Sequence, residues 1–146
     1  MIGSIKQIVS FSFILLLLSG CENLSPTNSN YIDPQIIFSS RRWWNYDIFI
    51  HDIYATKSTQ LTKNKWIDFN PSISHDTEKL VFVSDRDGNR EIYIMDLQWL
   101  DGYTQWQVNN LKNLTNSLEN DWTPSFSPVE NKIIYTTYFP ENDNYD

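Results

Sequence analysis

The stretch Val83–Asp96, which reads VSDRDGNREIYIMD, decides the fold. It joins two strand-like runs, Leu80–Ser84 and Glu91–Leu97, which are rich in β-branched, aromatic and other apolar residues. Between them, Asp87–Asn89 is a turn signal, because Gly and Asn adopt positive φ angles at little cost. Two such runs joined by a short polar turn predict an antiparallel hairpin.

The same pattern occurs 44 residues earlier, where Phe38 aligns with Phe82 and Asp52 with Asp96. The runs that correspond to the two predicted strands are Ile36–Ser40 and Asp47–Asp52. At this period identical or similar residues also align at Ser40 and Ser84, Arg42 and Arg86, Asn45 and Asn89, Ile48 and Ile92, Phe49 and Tyr93, and Ile50 and Ile94. The chain therefore repeats a structural unit.

Three segments recur downstream, at an offset of 53 residues. They are Leu61-Thr62 with Leu114-Thr115, Asn70–Ser74 with Thr123–Ser127, and Lys79–Phe82 with Lys132–Tyr135. The last of these segments is part of a further strand-like run, Lys132–Thr137. The increase in offset predicts an insertion of about nine residues at Gln98–Gln107, as a loop or an extended hairpin. No segment after residue 20 has the 3.6-residue periodicity of a long helix.

A period of 40 to 45 residues with about four strands per unit is typical of propeller blades, which need neighbours to bury both faces. The motifs resemble the TolB-type, WD40-like propeller repeat, most closely at Ser84–Gly88, Leu114-Thr115 and Pro124–Pro128. The resemblance is looser at Trp43-Trp44, which replaces the Asp-Gly turn, and at Ser74–Asp76 and Ser127–Val129, which keep part of a Ser-Pro-Asp-Gly motif.

The resemblance implies an all-β fold, a partial β-propeller of about two and a half four-stranded antiparallel blades. The incomplete propeller is expected to span residues 35–146, with units at about 36–74, 79–127 and 132–146. Propellers have at least about four blades, so the chain is expected to be part of a longer protein. In the units, Ile73 and Phe126 are expected to point between blades, and Pro124 to start a strand.

The N-terminus predicts a lipoprotein signal peptide at residues 1–20. An apolar run of about eleven residues, short for a membrane span, precedes Leu18–Cys21, which resembles the bacterial lipobox. Cys21, the single cysteine, is the predicted lipidation site and would tie the chain to the membrane through lipid. The alternatives are an ordinary signal peptide with an incidental Cys, or an uncleaved anchor helix.

Residues 21–34 are polar and are expected to form a tether. Glu22 follows the cysteine where an inner-membrane retention signal would have Asp, which favours the outer membrane or periplasmic side of the envelope. The net charge of −7 disfavours a nucleic-acid partner.

The sequence predicts no catalytic residue, metal site or cofactor. His51 and His75 are isolated, and there is no Gly-rich phosphate loop. Asp85, Asp87 and Asn89 have the alternating oxygens of a calcium loop, but the Gly is at the fourth position rather than the sixth and no Glu follows at the twelfth. A blade turn with solvated carboxylates is the preferred interpretation.

Three functions remain open. The resemblance implies a lipid-anchored envelope module that binds protein or peptide, since TolB is a periplasmic partner of an outer-membrane lipoprotein, although TolB is soluble and has its own N-terminal domain. The second is the propeller of a prolyl-oligopeptidase-like peptidase whose catalytic domain lies beyond residue 146. The third is a carbohydrate-binding surface lipoprotein, for which Trp99, Tyr103 and Trp106 in the insertion are the candidate stacking residues.

Overall fold

The computed structural model describes residues 35–42, 44–54, 56–100, 105–130, 132–139 and 144–145. This part of the chain contains strands and no helix. The strands are β1 Gln35–Arg42, β2 Asn45–Asp52, β3 Lys57–Gln60, β4 Asp68–Ile73, β5 Lys79–Ser84, β6 Glu91–Leu100, β7 Gln105–Asn113, β8 Asn120–Phe126, β9 Ile133–Phe139 and β10 Asn144–Tyr145.

The strands form three antiparallel sheets in chain order. The first sheet is β1-β2-β3, the second is β4-β5-β6-β7, and the third is β8-β9-β10. Within each sheet, every strand pairs with its neighbour in sequence, as in an up-and-down meander. The all-β fold class predicted from the repeats is confirmed, and the second sheet has the four strands of a complete blade.

The sheets and the sequence repeats are out of phase. The unit at 36–74 contains β1 to β4, yet β4 is hydrogen-bonded to β5 and belongs to the second sheet. Likewise β8 falls in the unit at 79–127 but pairs with β9 in the third sheet. Each repeat therefore ends with the first strand of the following sheet, which connects consecutive sheets covalently.

The predicted insertion at Gln98–Gln107 lies in an extended hairpin. The pairing of β6 and β7 continues through Trp99 opposite Trp106 to Leu100 opposite Gln105. The turn that closes it, residues 101–104, lies outside the described residues. The second sheet therefore reaches farther at this end than the first.

Two hydrophobic cores hold the sheets together. The first contains Ile48 of the first sheet and Leu61, which directly follows β3, with Leu80 and Phe82 of the second sheet. The second core joins the second and third sheets through Val81, Val83 and Ile92, with Phe126 and Ile133 packed against them. Because side chains alternate along a strand, β5 contributes Leu80 and Phe82 to one core and Val81 and Val83 to the other. The expectation that Ile73 and Phe126 point between sheets is confirmed.

The two prolines of the recurring segment lie at bulges. In β4 the register shifts between Phe69 and Ser72, around Pro71, and in β8 it shifts between Trp122 and Ser125, around Pro124. The expectation that Pro124 starts a strand was wrong, because β8 begins four residues earlier. A bulge also spares a ladder donor, so proline is tolerated inside the strand. The preceding residues, Asn70 and Thr123, have φ angles of 49° and 47°.

Candidate functional site

Thr62 bonds the crossover between β3 and β4 to strand β2. Its hydroxyl donates to Oδ1 of Asp47 at 3.3 Å, and its Oγ1 accepts from the backbone N–H of Ile48 at 2.9 Å. The N–H of Leu61 donates to the Ile48 carbonyl at 2.8 Å. Burial raises the pKa of Asp47 above 3.8, although the hydrogen bond from Thr62 acts against this rise. The Leu-Thr motif therefore anchors the crossover by both its residues.

The second sheet repeats this arrangement. The Thr115 hydroxyl donates to Glu91, and Thr115 Oγ1 accepts from the N–H of Ile92 at 3.1 Å. The N–H of Leu114 donates to the Ile92 carbonyl at 2.8 Å. Asp47 and Glu91 are 44 residues apart, and Thr62 and Thr115 are 53 apart. These buried carboxylates are thus part of the repeating structure.

Asparagine caps the same crossovers. The side-chain amide of Asn45 donates to the carbonyls of Asn64 and Trp66, at 2.7 and 2.8 Å. Asn89 donates in the same way to Ser117 and Glu119. The alignment of Asn45 with Asn89 in the repeats signalled an equivalent position, but no sequence pattern indicated these acceptors.

The Asp85–Asn89 turn connects β5 to β6 as expected, with Gly88 at φ 104°. Its oxygens accept protein hydrogen bonds. Asp85 accepts from the N–H of Ile67 at 2.8 Å, and Asp87 accepts from the Tyr93 hydroxyl and from Asn113. The hydrogen bond from Tyr93, and next the one from Asn113, lower the pKa of Asp87 below 3.8. Burial, and next the bond to Asp87, raise the pKa of Tyr93 well above 10.0.

The described residues include no cluster of three or more His, Cys, Asp or Glu that is arranged to hold a metal ion. His51 lies in β2, where its Nδ1 is 3.0 Å from Ser58 Oγ, and His75 is exposed in the turn between β4 and β5. The structure does not bring these two histidines together at a site with Asp85 or Asp87.

The candidate stacking residues have different positions. Trp99 and Trp106 face each other across the hairpin, with ring centroids 5.3 Å apart in an edge-to-face geometry. Trp106 is 8% exposed and belongs to the first core, while Trp99 is half-buried against it. Tyr103 and Cys21 lie outside the described residues. Stacking by these three aromatic residues stays a prediction, and Trp99 has the more accessible ring of the two that are described.

A groove of about 230 Å³ lies between the first crossover and strand β7. Buried Leu61 and Met95 and half-buried Val108 are its apolar lining. Its outer side is formed by Asn109–Leu111, where β7 carries a bulge: Ile94 pairs with Lys112 but Asp96 with Asn109, and Asn110 has a φ of 54°. The bulge turns the edge of β7 at this point, as bulges beside binding sites often do.

The polar lining of the groove consists mainly of cationic side chains and asparagine amides. Lys63 and Asn64 extend from the crossover, and Arg86 comes from the β5–β6 turn. Arg86 donates from Nη2 to buried Asp68 at 3.0 Å, while exposed Lys63 has no carboxylate among the groove residues beside it. Sequence reasoning did not identify this groove, because lining residues such as Leu61 and Val108 are 47 positions apart and meet only through the packing of two sheets.

Three consecutive antiparallel meanders, the second of them four-stranded, are joined by repeated crossovers and define the described chain as part of a β-propeller. The comparisons agree. The chain is 41% identical over 51 residues to a TolB homologue of Chlorobium luteolum. The fold matches a TolB structure from Agrobacterium tumefaciens with a TM-score of 0.60 and 26% identity over 71% of this chain. It also matches TolB from Acinetobacter baumannii with a TM-score of 0.54 over 76% of this chain; at 22% identity, that match concerns the fold alone. No family model matches the chain.

The chain is therefore TolB-like in its repeats and in its fold. It covers 12% of the curated Chlorobium relative, and 34% and 25% of the two solved structures. In the part of the chain that the structure describes, no helix is long and apolar enough to cross a membrane.

Proposed function

We propose that the chain is the anchored end of an envelope protein whose TolB-like propeller binds a protein or peptide and carries out no chemistry itself. The observation that carries this proposal is the groove beside Met95. Its volume of about 230 Å³ is below the range of about 300 to 1,000 Å³ that is usual for small-molecule pockets. It fits one or two side chains of a polypeptide lying across two sheets.

The groove has the chemistry of a polypeptide contact. The apolar surface of Leu61, Met95 and Val108 suits an aliphatic or aromatic side chain. The amides of Asn109 and Asn64 can pair with backbone groups, and the Lys63 ammonium favours an acidic residue next to the apolar one. The buried carboxylates Asp47, Asp68 and Glu91 are engaged in structural hydrogen bonds, which supports binding over catalysis.

Binding is tested by altering the groove in the full protein. Val108→Glu places a carboxylate on the apolar lining, and Val129→Glu is the matched control at an exposed site in the third sheet's turn. Tagged proteins are purified from envelope extracts, and the co-purified proteins are quantified by mass spectrometry. We expect a partner that Val108→Glu reduces at least tenfold and Val129→Glu retains. Equal recovery of every partner with wild type, Val108→Glu and Val129→Glu would refute binding at the groove.

The anchor is a separate part of the proposal. It rests on the lipobox at Leu18–Cys21, which lies outside the described residues. Lipidation through Cys21 would hold the propeller at the periplasmic side of the outer membrane. Wild-type protein should incorporate a labelled fatty acid and sediment with membranes, and Cys21→Ser should lose the label. A Cys21→Ser variant that is labelled as strongly as wild type would exclude lipidation at this residue.

A further inference from the structure

Cations and aromatic side chains gather at one end of the first sheet. Six residues of the β1–β2 turn and the first crossover form what we call the basic–aromatic patch: Arg41, Trp44, Tyr46, Lys63, Lys65 and Trp66. Arg41, Trp44, Lys63 and Lys65 are exposed, Trp44 at 90% and Tyr46 at 40%. An exposed aromatic cluster that is rimmed by charged residues often marks an interaction surface.

Hydrogen bonds hold the two parts of the patch at the same end of the first sheet. Arg41 is paired with Tyr46 across β1 and β2, which puts their side chains on the same face. Asn45, between Trp44 and Tyr46, donates to the carbonyls of Asn64 and Trp66, so the turn and the crossover are tied together. The Lys65 ammonium lies 5.3 Å from the centre of the Trp66 ring.

Three carboxylates that lie near the patch residues in sequence or by hydrogen bonding are buried or accept protein hydrogen bonds. Asp47 and Asp68 are 5% and 0% exposed and accept hydrogen bonds from Thr62 and Arg86. In the neighbouring β5–β6 turn, Asp85 accepts from the N–H of Ile67. The exposed side chains of Arg41, Lys63 and Lys65 thus place a cluster of cations on a chain with a net charge of −7.

We propose that the basic–aromatic patch lies on an anionic lipid surface. Lys and Arg pair with acidic headgroups, and Trp and Tyr settle at the depth where the headgroups meet the acyl chains. Trp44 is 90% exposed, which suits insertion among lipids better than docking in a pocket of a folded partner. The inference rests on the proposed membrane attachment, and it adds the face of the propeller that meets the membrane.

The length of the tether allows this orientation. Residues 21–34 extend to at most about 48 Å. Strand β1, which leads from Gln35 to the patch, is eight residues or about 26 Å long. An anchor at Cys21 can therefore reach back along the sheet to the membrane on which the patch rests.

The experiment places a fluorescent probe in the patch of the full chain. An NBD group on Trp44→Cys, with Cys21→Ser to leave one thiol, replaces the exposed indole by another amphipathic ring; the control carries NBD on Val129→Cys. Both proteins are added to vesicles of phosphatidylglycerol or of phosphatidylcholine. The N-terminal apolar run is the same in both proteins, so any attachment through it is also the same. A difference in NBD emission therefore reports which face of the propeller meets the lipid.

We expect NBD at position 44 to shift to the blue with phosphatidylglycerol only, and position 129 to stay unchanged. The shift should disappear at about 0.5 M NaCl, where screening acts within a few ångströms. Arg41→Glu with Lys65→Glu should raise the vesicle concentration that gives half of the shift about tenfold or more, since each basic residue contributes about 1 kcal/mol to binding at an anionic surface. Lys112→Glu with Lys132→Glu makes the same change of charge elsewhere and should have little effect.

Three results would overturn the inference. They are an equal emission shift at positions 44 and 129, an equal shift at position 44 with both lipids, or an equal loss of vesicle binding in both double variants. A shift at position 44 with soluble polyglutamate but not with vesicles would assign the patch to an acidic polypeptide instead. The outcome does not depend on lipidation at Cys21 or on the groove, so it is distinguishable from failure of the proposed function.

Discussion

Arg86 and Asp68 form an ion pair between the β5–β6 turn and strand β4, with Nη2 and Oδ1 3.0 Å apart. The Asp68 side chain is fully buried, and the Arg86 guanidinium also lies 4.5 Å from the centre of the Tyr93 ring. In the third sheet, Asp121 has the place of Asp68 and accepts from the hydroxyls of Ser117 and Thr137. The repeat preserves the buried acceptor and varies its donors.

Replacing Arg86 should destabilise the protein strongly. Arg86→Met keeps much of the apolar stem but leaves Asp68 as a buried carboxylate without its cation, which costs about 3 to 5 kcal/mol in the free energy of unfolding. The measurement is chemical denaturation. Arg90→Met is the control, because Arg90 stacks on Trp122 at 3.8 Å, an interaction worth about 0.5 to 2 kcal/mol. Similar losses in both variants would show that the ion pair has no special role.

The Leu-Thr crossovers should depend on the threonine hydroxyl. Thr62→Val and Thr115→Val remove the donor to a buried carboxylate and the acceptor for a backbone N–H, which costs about 1 to 3 kcal/mol each. Thr62→Ser and Thr115→Ser keep the hydroxyl and should lose less, as measured by urea unfolding. If serine and valine were equally destabilising, the methyl group and not the hydroxyl would hold the crossover.

Replacing Thr123 by asparagine should stabilise the protein. It adopts a φ of 47°, which is strained for a β-branched residue, whereas Asn70 occupies the equivalent position in β4 at 49°. Thr123→Asn should raise the free energy of unfolding by about 1 kcal/mol, and Asn70→Thr should lower it by a similar amount. Thermal melts of both variants check this reciprocity, and a loss in Thr123→Asn would contradict it.

Acid should destabilise the protein partly through Asp87. The folded-state pKa of this carboxyl lies below 3.8, because Tyr93 and Asn113 donate to it. Its contribution to stability is therefore present above pH 3.8 and is lost as the pH falls through the folded-state pKa. Asp87→Asn cannot titrate, so wild type should lose more stability than the variant between pH 7 and acid pH.

Urea unfolding of both proteins at neutral and acid pH measures this difference. Asp76 and Asp96, whose pKa values are also lowered, are present in both proteins and cancel in the comparison. Parallel pH profiles of wild type and Asp87→Asn would rule out the contribution of Asp87.

The repeats predicted the blade strands because burial on both faces selects apolar side chains along β5 and β6. They also predicted Ile73 and Phe126 as contacts between sheets. The repeats did not predict which sheets β4 and β8 would join, since a repeat unit has no preferred starting point in sequence. The bulges at Pro71 and Pro124 depend on how two strands pair, which local sequence does not specify.

The site was harder to predict than the fold. Asp47 and Thr62 are visible as recurring residues, but their bond depends on the crossover folding back over β2. The groove joins Leu61 to Val108 through contacts between two sheets, and no local pattern encodes such a meeting. The basic–aromatic patch likewise appears only when Asn45 draws Trp66 towards the β1–β2 turn.

Site-specific photo-cross-linking from the groove tests the central claim most directly. Leu111, which lines the groove and is 48% exposed, is replaced by benzoylphenylalanine in the full-length parent protein, with Val129 as the control position. After irradiation of intact cells, we expect a discrete protein adduct from position 111 and none from 129, lost when Val108→Glu is added. Absence of an adduct at position 111, or the same adducts at both positions, would contradict a polypeptide-binding groove.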